Sequence, residues 1–184
     1  MIAELPNDSL VSLEIFDNKI TLFLENQQSD CRQDMLRFFN SINKKKYYAI
    51  LGKENIMIPF LTIKDNLVIG LSKKEKEQLK ERLPKLLDQF KLSPSSLNKP
   101  ASDCSLEEQV VFQIVRSLAL RHIILIFDST SNQQESNQFL TNLIPVLRTA
   151  VKNNHGTIAI VSSSQEVAGS LYYDQCINLD YFFN

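Results

Sequence analysis

Polar and acidic side chains follow directly on apolar runs at several points in the chain, and these are the places where chemistry could be done. The run Ile20–Leu24 passes into the stretch 25–32, Glu-Asn-Gln-Gln-Ser-Asp-Cys-Arg. Ile123–Phe127 passes into Asp128 and Ser129, and the run at 157–161 passes into Ser162, Ser163 and Ser164. Ser105 and Glu108 have the S-x-x-E spacing of a capping box, in which a helix satisfies its own first N–H groups; Glu107 adds negative charge to that first turn. Asp30 falls near the start of a helical pattern, where a carboxylate is favourable. The cysteines Cys31, Cys104 and Cys176 are odd in number and without a C-x-x-C pair, which argues against a disulfide framework or a zinc site. His122 and His155 each fall just before an apolar run, in turns, and neither has the context of a nucleophile–base pair. Taken one by one, these residues assemble no catalytic set.

The elements that must position them read as alternating strands and helices. Residues 11–15 and 20–24 read as two short strands around the turn Phe16-Asp17-Asn18-Lys19. Met35, Leu36, Phe38, Phe39 and Ile42 fall at helical spacing, and residues 47–51 form the next strand. An irregular segment, 52–62, leads to a charged helical pattern over 72–92, with Pro84 expected to kink it or start a second helix. Residues 93–105, rich in Ser and Pro, read as a loop, and 106–120 as a helix with Val110, Val111, Ile114, Val115 and Leu118 inward. The unalternating run Ile123–Phe127 predicts a strand buried on both faces of a parallel sheet. A helix over 138–152 and strands over 157–161 and 176–179 complete an α/β domain with a mostly parallel sheet.

The length of 184 residues suits one domain with one substantial core. A net charge of −1 shows no basic excess that would suggest general nucleic-acid binding, so no nucleic-acid partner is expected, and the lysines at 44–46 and 73–80 read as solvated faces. No basic start followed by an apolar stretch marks a secretory signal, and no apolar run reaches the length of a membrane span. The expected location is cytoplasmic.

Several strings, in their order and spacing, resemble the ATP-binding-cassette (ABC) ATPases. VSLEIFDNKITLFL at 11–24 is similar to the strand–turn–strand before the family's phosphate loop, and RHIILIFDSTS at 121–131 to its buried strand and Walker B end. Aligning Arg116-Ser117-Leu118 with the family's Ala-Arg-Ala-Leu puts Cys104, Ser105, Leu106, Glu107 and Glu108 on the LSGGQ signature, at a separation from Asp128 that fits without a gap. GTIAIVSSSQEVA at 156–168 resembles the strand and switch loop, and IPFLTIKDNL at 58–67 the segment after the Q-loop. The resemblance spans residues 11–180 and implies a P-loop NTPase-like fold. That fold has a mostly parallel sheet flanked by helices, a reduced N-terminal β-subdomain and a shortened helical subdomain at 63–110, all in one domain of residues 1–184.

The same resemblance implies a site without its working groups. A phosphate loop reads GxxxxGK followed by Ser or Thr, because glycines turn N–H groups toward phosphates, the lysine neutralises charge and the hydroxyl holds Mg²⁺. Here Glu25 and Asp30 stand at the glycines, Cys31 at the lysine and Arg32 at the metal-ligand position. A carboxylate ~4 Å from a phosphate opposes it by roughly 4 kcal/mol per unit charge at an effective dielectric near 20. Two of them rival the roughly 8 kcal/mol that holds a micromolar ligand. Asp128 keeps the Walker B aspartate position, Ser129 takes the place of the glutamate, Ser163 that of the switch histidine and Lys53 that of the Q-loop glutamine. The resemblance therefore implies a non-catalytic member: no bound nucleotide, metal or other cofactor, and no ATP-driven homodimer.

Three functions remain open at this stage. One is a docking or regulatory subunit for a membrane permease or an active ABC ATPase, held at the inner face of the membrane through that partner. It would grip the partner with Lys53, Ile56, Met57, Ile58, Pro59, Phe60 and Leu61. For Ile56 to Leu61 the competing reading is core filling. A second function is a transporter ATPase with a remodelled site built from Arg32, Lys53 and Asp128. A third is a free-standing peptide-binding or immunity-type protein.

Overall fold

The computed structural model describes residues 18–24, 35–37, 47–51, 57–127, 133–169 and 173–178. Five strands, β1 (Ile20–Leu24), β2 (Tyr47–Leu51), β3 (Ile123–Phe127), β4 (Thr157–Ser162) and β5 (Gln175–Asn178), form one sheet in the order β2-β3-β4-β1-β5. Every pairing is parallel. β3 and β4 are buried along their whole length, which is why their sequences are apolar without alternation. Both edges of β1 are taken, by β4 and β5, so β1 has no free edge for the hairpin partner that the strand–turn–strand reading of 11–24 suggests. Residues 11–15 themselves lie outside the described residues, as do Phe38, Phe39 and Ile42; residues 35–37 are helical and Met35 is buried.

The helices are α1 (Ile63–Val68), α2 (Lys73–Gln89), α3 (Leu106–Ala119), α4 (Gln133–Asn154) and α5 (Gln165–Gly169). α2 runs unbroken through Pro84, correcting the expected kink. Pro84 is on the exposed side of α2, where water can reach the Lys80 carbonyl that loses its donor. The Ser/Pro-rich stretch before α3 is not a featureless loop: it forms two 3₁₀ turns, Pro94–Asn98 and Ala101–Asp103. α3 is buried almost all round. Phe112, Ile114, Val115 and Leu118 are joined inside by Gln109, Gln113 and Ser117, because α1 and α2 cover the side turned away from the sheet. Val111, expected inward, is only partly buried. Buried side chains of α1, α2, α3 and α4 and of the sheet form one core.

Three helices end alike. Lys91, Arg121 and His155 follow α2, α3 and α4 with φ of 54°, 56° and 54°. The next residue in each case donates back to the last turn: Leu92 to Leu87 (2.8 Å), His122 to Ser117 (2.9 Å) and Gly156 to Val151 (3.1 Å). These are Schellman endings, whose left-handed residue is usually glycine. An L-residue there costs roughly 1–2 kcal/mol, while a cation near a helix C-terminus recovers about 0.3–1 kcal/mol. Turn geometry alone does not account for three basic residues in these places.

Candidate functional site

In a parallel sheet all strands end at one edge, and the register sets Leu24 beside Ser162 and Phe127 beside Val161. From β1 the chain runs to β2 at the far edge, whereas from β4 it crosses β1 to β5. The ends of β1 and β4 therefore flank a topological switch point, the place where open α/β sheets bind ligands. α3 leads into β3 through a tight turn at Arg121 and His122, so its N-terminus lies toward that same edge.

Among the described residues, several polar groups at this edge are engaged locally. The Ser162 hydroxyl accepts from Ser164 N (3.1 Å), and the Ser164 hydroxyl accepts from Val167 N (3.3 Å) at the start of α5. Ser163, which the sequence resemblance aligns with the switch histidine, is buried between them. At the start of α3 the capping box is formed: Ser105 N donates to Glu108 Oε2 (2.9 Å) and Glu108 N to Ser105 Oγ (3.1 Å). Glu107 stands exposed beside it. Gln109 Nε2 reaches back to the carbonyls of Ala101 (3.1 Å) and Cys104 (3.3 Å), fixing the approach to the helix. Burial pushes the Cys104 thiol up, and the Glu108 carboxylate adds to it, so the thiolate needed for nucleophilic chemistry is disfavoured. Cys176, also raised chiefly by burial, lies on the edge strand β5.

The remaining expected positions, Glu25, Asp30, Cys31, Arg32, Lys53, Asp128 and Ser129, lie outside the described residues. His122 and His155 sit in turns before β3 and β4, as expected, His122 half-buried and His155 exposed. Among the described residues no cluster of His, Cys, Asp and Glu could hold a metal ion.

The segment expected to meet a partner splits in two. Met57 is 4% exposed and part of the core, which removes it from the partner-facing set; its neighbours Ile63 and Leu67 are core residues too. Phe60 is 81% exposed and Ile58 38%, Pro59 is exposed, and Leu61 is half-buried. Ile56 lies outside the described residues. Asn66, which pattern reading passed over, holds this loop in shape. Its side chain accepts from Ile58 N (2.8 Å) and donates to the carbonyls of Ile58 (3.0 Å), Leu61 (3.3 Å) and Thr62 (3.0 Å). The loop is tied further to the turn before α3 by Ser102 N to Pro59 O (3.0 Å) and Ala101 N to Leu61 O (2.9 Å). No sequence signal marked it, since Asn66 follows Thr62, Lys64 and Asp65 in a mixed stretch and its burial is set by tertiary packing.

No family model matches the chain, and no curated protein matches it. Solved structures do. A putative ABC transporter ATP-binding protein from Pyrococcus furiosus is 15% identical, with a TM-score of 0.58 over 92% of this chain and 88% of that one. CbiO1 from Clostridium perfringens, part of an ABC transporter complex, is 13% identical, with a TM-score of 0.67 over 88% of this chain and 73% of that one. A bacterial ABC transporter cassette solved as a dimer is 16% identical, with a TM-score of 0.58 over 89% and 82%. At such identities the likeness is one of fold, and the chain has the fold of an ABC transporter ATP-binding cassette.

Proposed function

We propose that this protein is a non-hydrolysing member of the ABC ATPase family that works by docking a protein partner, a membrane permease or an active ABC ATPase subunit. The observation that carries the docking role is Phe60: a large aromatic side chain, 81% exposed, on a loop that Asn66 holds through four hydrogen bonds. Exposed aromatics on pre-shaped loops are what binding hot spots use. The solved cassettes of this fold include one described as part of a transporter complex, which supports a partner of that kind. Among the described residues no helix is long and apolar enough to cross a membrane, in keeping with recruitment through a protein.

Non-hydrolysis rests on residue types. Glu25, Asp30, Cys31 and Arg32 replace phosphate-binding groups in sequence, Ser129 and Ser163 replace the glutamate and histidine, and the capped start of α3 already uses donors that would meet an anion. A second reading, an ATP-binding subunit with a site remodelled around Arg32, Lys53 and Asp128, draws support from the Pyrococcus cassette's description as an ATP-binding protein.

The docking reading is tested by placing a photo-crosslinking phenylalanine analogue at position 60 in native cells. The expected result is one crosslinked permease or ATPase subunit, absent when the probe sits at exposed Glu81. Phe60→Asp should remove the crosslinked partner's co-purification while leaving the melting temperature unchanged. If Phe60→Asp unfolds the protein, Phe60 is a core residue and the docking reading fails.

A further inference from the structure

The pole of the sheet opposite the candidate site gathers basic side chains. Lys19 precedes β1, Arg121 precedes β3 and His155 precedes β4, and in a parallel sheet these positions share one edge. Lys19 O accepts from Ile158 N (3.0 Å), which joins the first and last of them. The C-terminus of α2 is brought to the same pole by Asn154 Nδ2 to Gln89 Oε1 (2.9 Å) and Arg82 Nη1 to Ala119 O (3.2 Å). Lys91 and Lys152 follow with it. Lys19, Lys91, Arg121, Lys152 and His155 are all exposed, and none is ion-paired among the described residues. Of the described carboxylates at this pole, Asp88 is exposed in the last turn of α2, and Asp174 is engaged by Ile20 N (2.8 Å) and Arg148 (3.8 Å).

Three of these residues occupy left-handed backbone positions where glycine would fit better, and the helix dipole returns less than the conformation costs. Outliers of this kind, repeated at one place, point to a use for the side chains. We propose that this pole is a docking face for a short acidic polypeptide segment. The chain as a whole carries a net charge of −1, so its attraction for an extended polyanion, whether a nucleic acid or an anionic membrane, is cancelled at long range. The local cations Lys19, Lys91, Arg121 and Lys152 act only within a Debye length, ~8–10 Å at physiological salt, which is the reach of a few carboxylates.

The probe is fluorescein-labelled octaglutamate, titrated with the full chain and read by fluorescence anisotropy at low and at physiological salt. Binding should weaken with salt and fall about tenfold or more in the triple variant Lys91→Gly, Arg121→Gly, His155→Gly. Glycine suits the left-handed positions, so the variant should melt no lower than the parent chain. Should it melt lower, Lys19→Gln with Lys152→Gln, at ordinary exposed positions, decides by the same loss of binding. Undiminished binding in the variants would overturn the proposal, as would no binding at low salt. Tighter binding of an oligothymidylate or of phosphatidylglycerol vesicles than of octaglutamate would also overturn it, in favour of an extended polyanion.

Discussion

At the scale of single residues, the side chains that matter most are small polar ones in tight places. Asn66 serves four backbone groups at once, so Asn66→Ala strands buried donors and acceptors in the 58–62 loop. The expected loss is about 2–4 kcal/mol, read as a lower urea midpoint with an unchanged slope. Gly156 is constrained from the other direction: a Cβ there would stand 2.5 Å from Leu118 Cδ2, in the middle of the core. Gly156→Ala should cost about 1–3 kcal/mol as overpacking, and a smaller side chain at 118 should return part of it. A double-mutant cycle with Leu118→Val checks the coupling. Neither residue could be singled out by type, since an Asn beside an Asp and a Lys, or a Gly in a turn, is ordinary; their importance comes from what surrounds them.

At the scale of elements, the start of α3 was legible, whereas α4, read from 138, begins at Gln133, and the short helices α1 and α5 had no signal of their own. The S-x-x-E pattern of Ser105 with Glu108 marks the start of α3 and its capping box is formed; the structure adds a second box, Ser72 with Glu75, at the start of α2. Capping is local chemistry within four residues, which is why sequence suffices. Ser105→Ala should therefore lower stability by about 1 kcal/mol in chemical denaturation. Pro84 misled because whether a proline ends a helix depends on tertiary contacts: α2 packs on α3 firmly enough to carry it through. Pro84→Ala, on the exposed side, should raise stability by up to about 3 kcal/mol, seen as a higher thermal midpoint. The burial of Gln109, Gln113 and Ser117 was hidden for a similar reason. Polar residues read as the solvent side of α3 until α1 and α2 are known to cover it.

At the scale of the whole molecule, the expectation concerns ligand linkage. A nucleotide held at 100 times its dissociation constant adds about 2.7 kcal/mol to stability. For a chain of 184 residues that corresponds to a rise of roughly 5–10 °C. The proposed function predicts no such rise with millimolar ATP and Mg²⁺, and a Mg²⁺-dependent rise of that size would favour the remodelled-site reading.

The amino-acid order alone determined the alternation of strands and helices, the parallel character of the sheet around Ile123–Phe127, and the residue types at each strand's end. Those properties depend on periodicity and local chemistry, which a linear string carries in full. Tertiary structure decided which residues of the 57–61 segment face water, with Met57 inside and Phe60 outside, and that Lys19, Lys91, Arg121, Lys152 and His155 share one pole. Such facts arise from the packing of segments far apart in sequence, where a side chain's surroundings are set by elements that its neighbours in the chain do not specify.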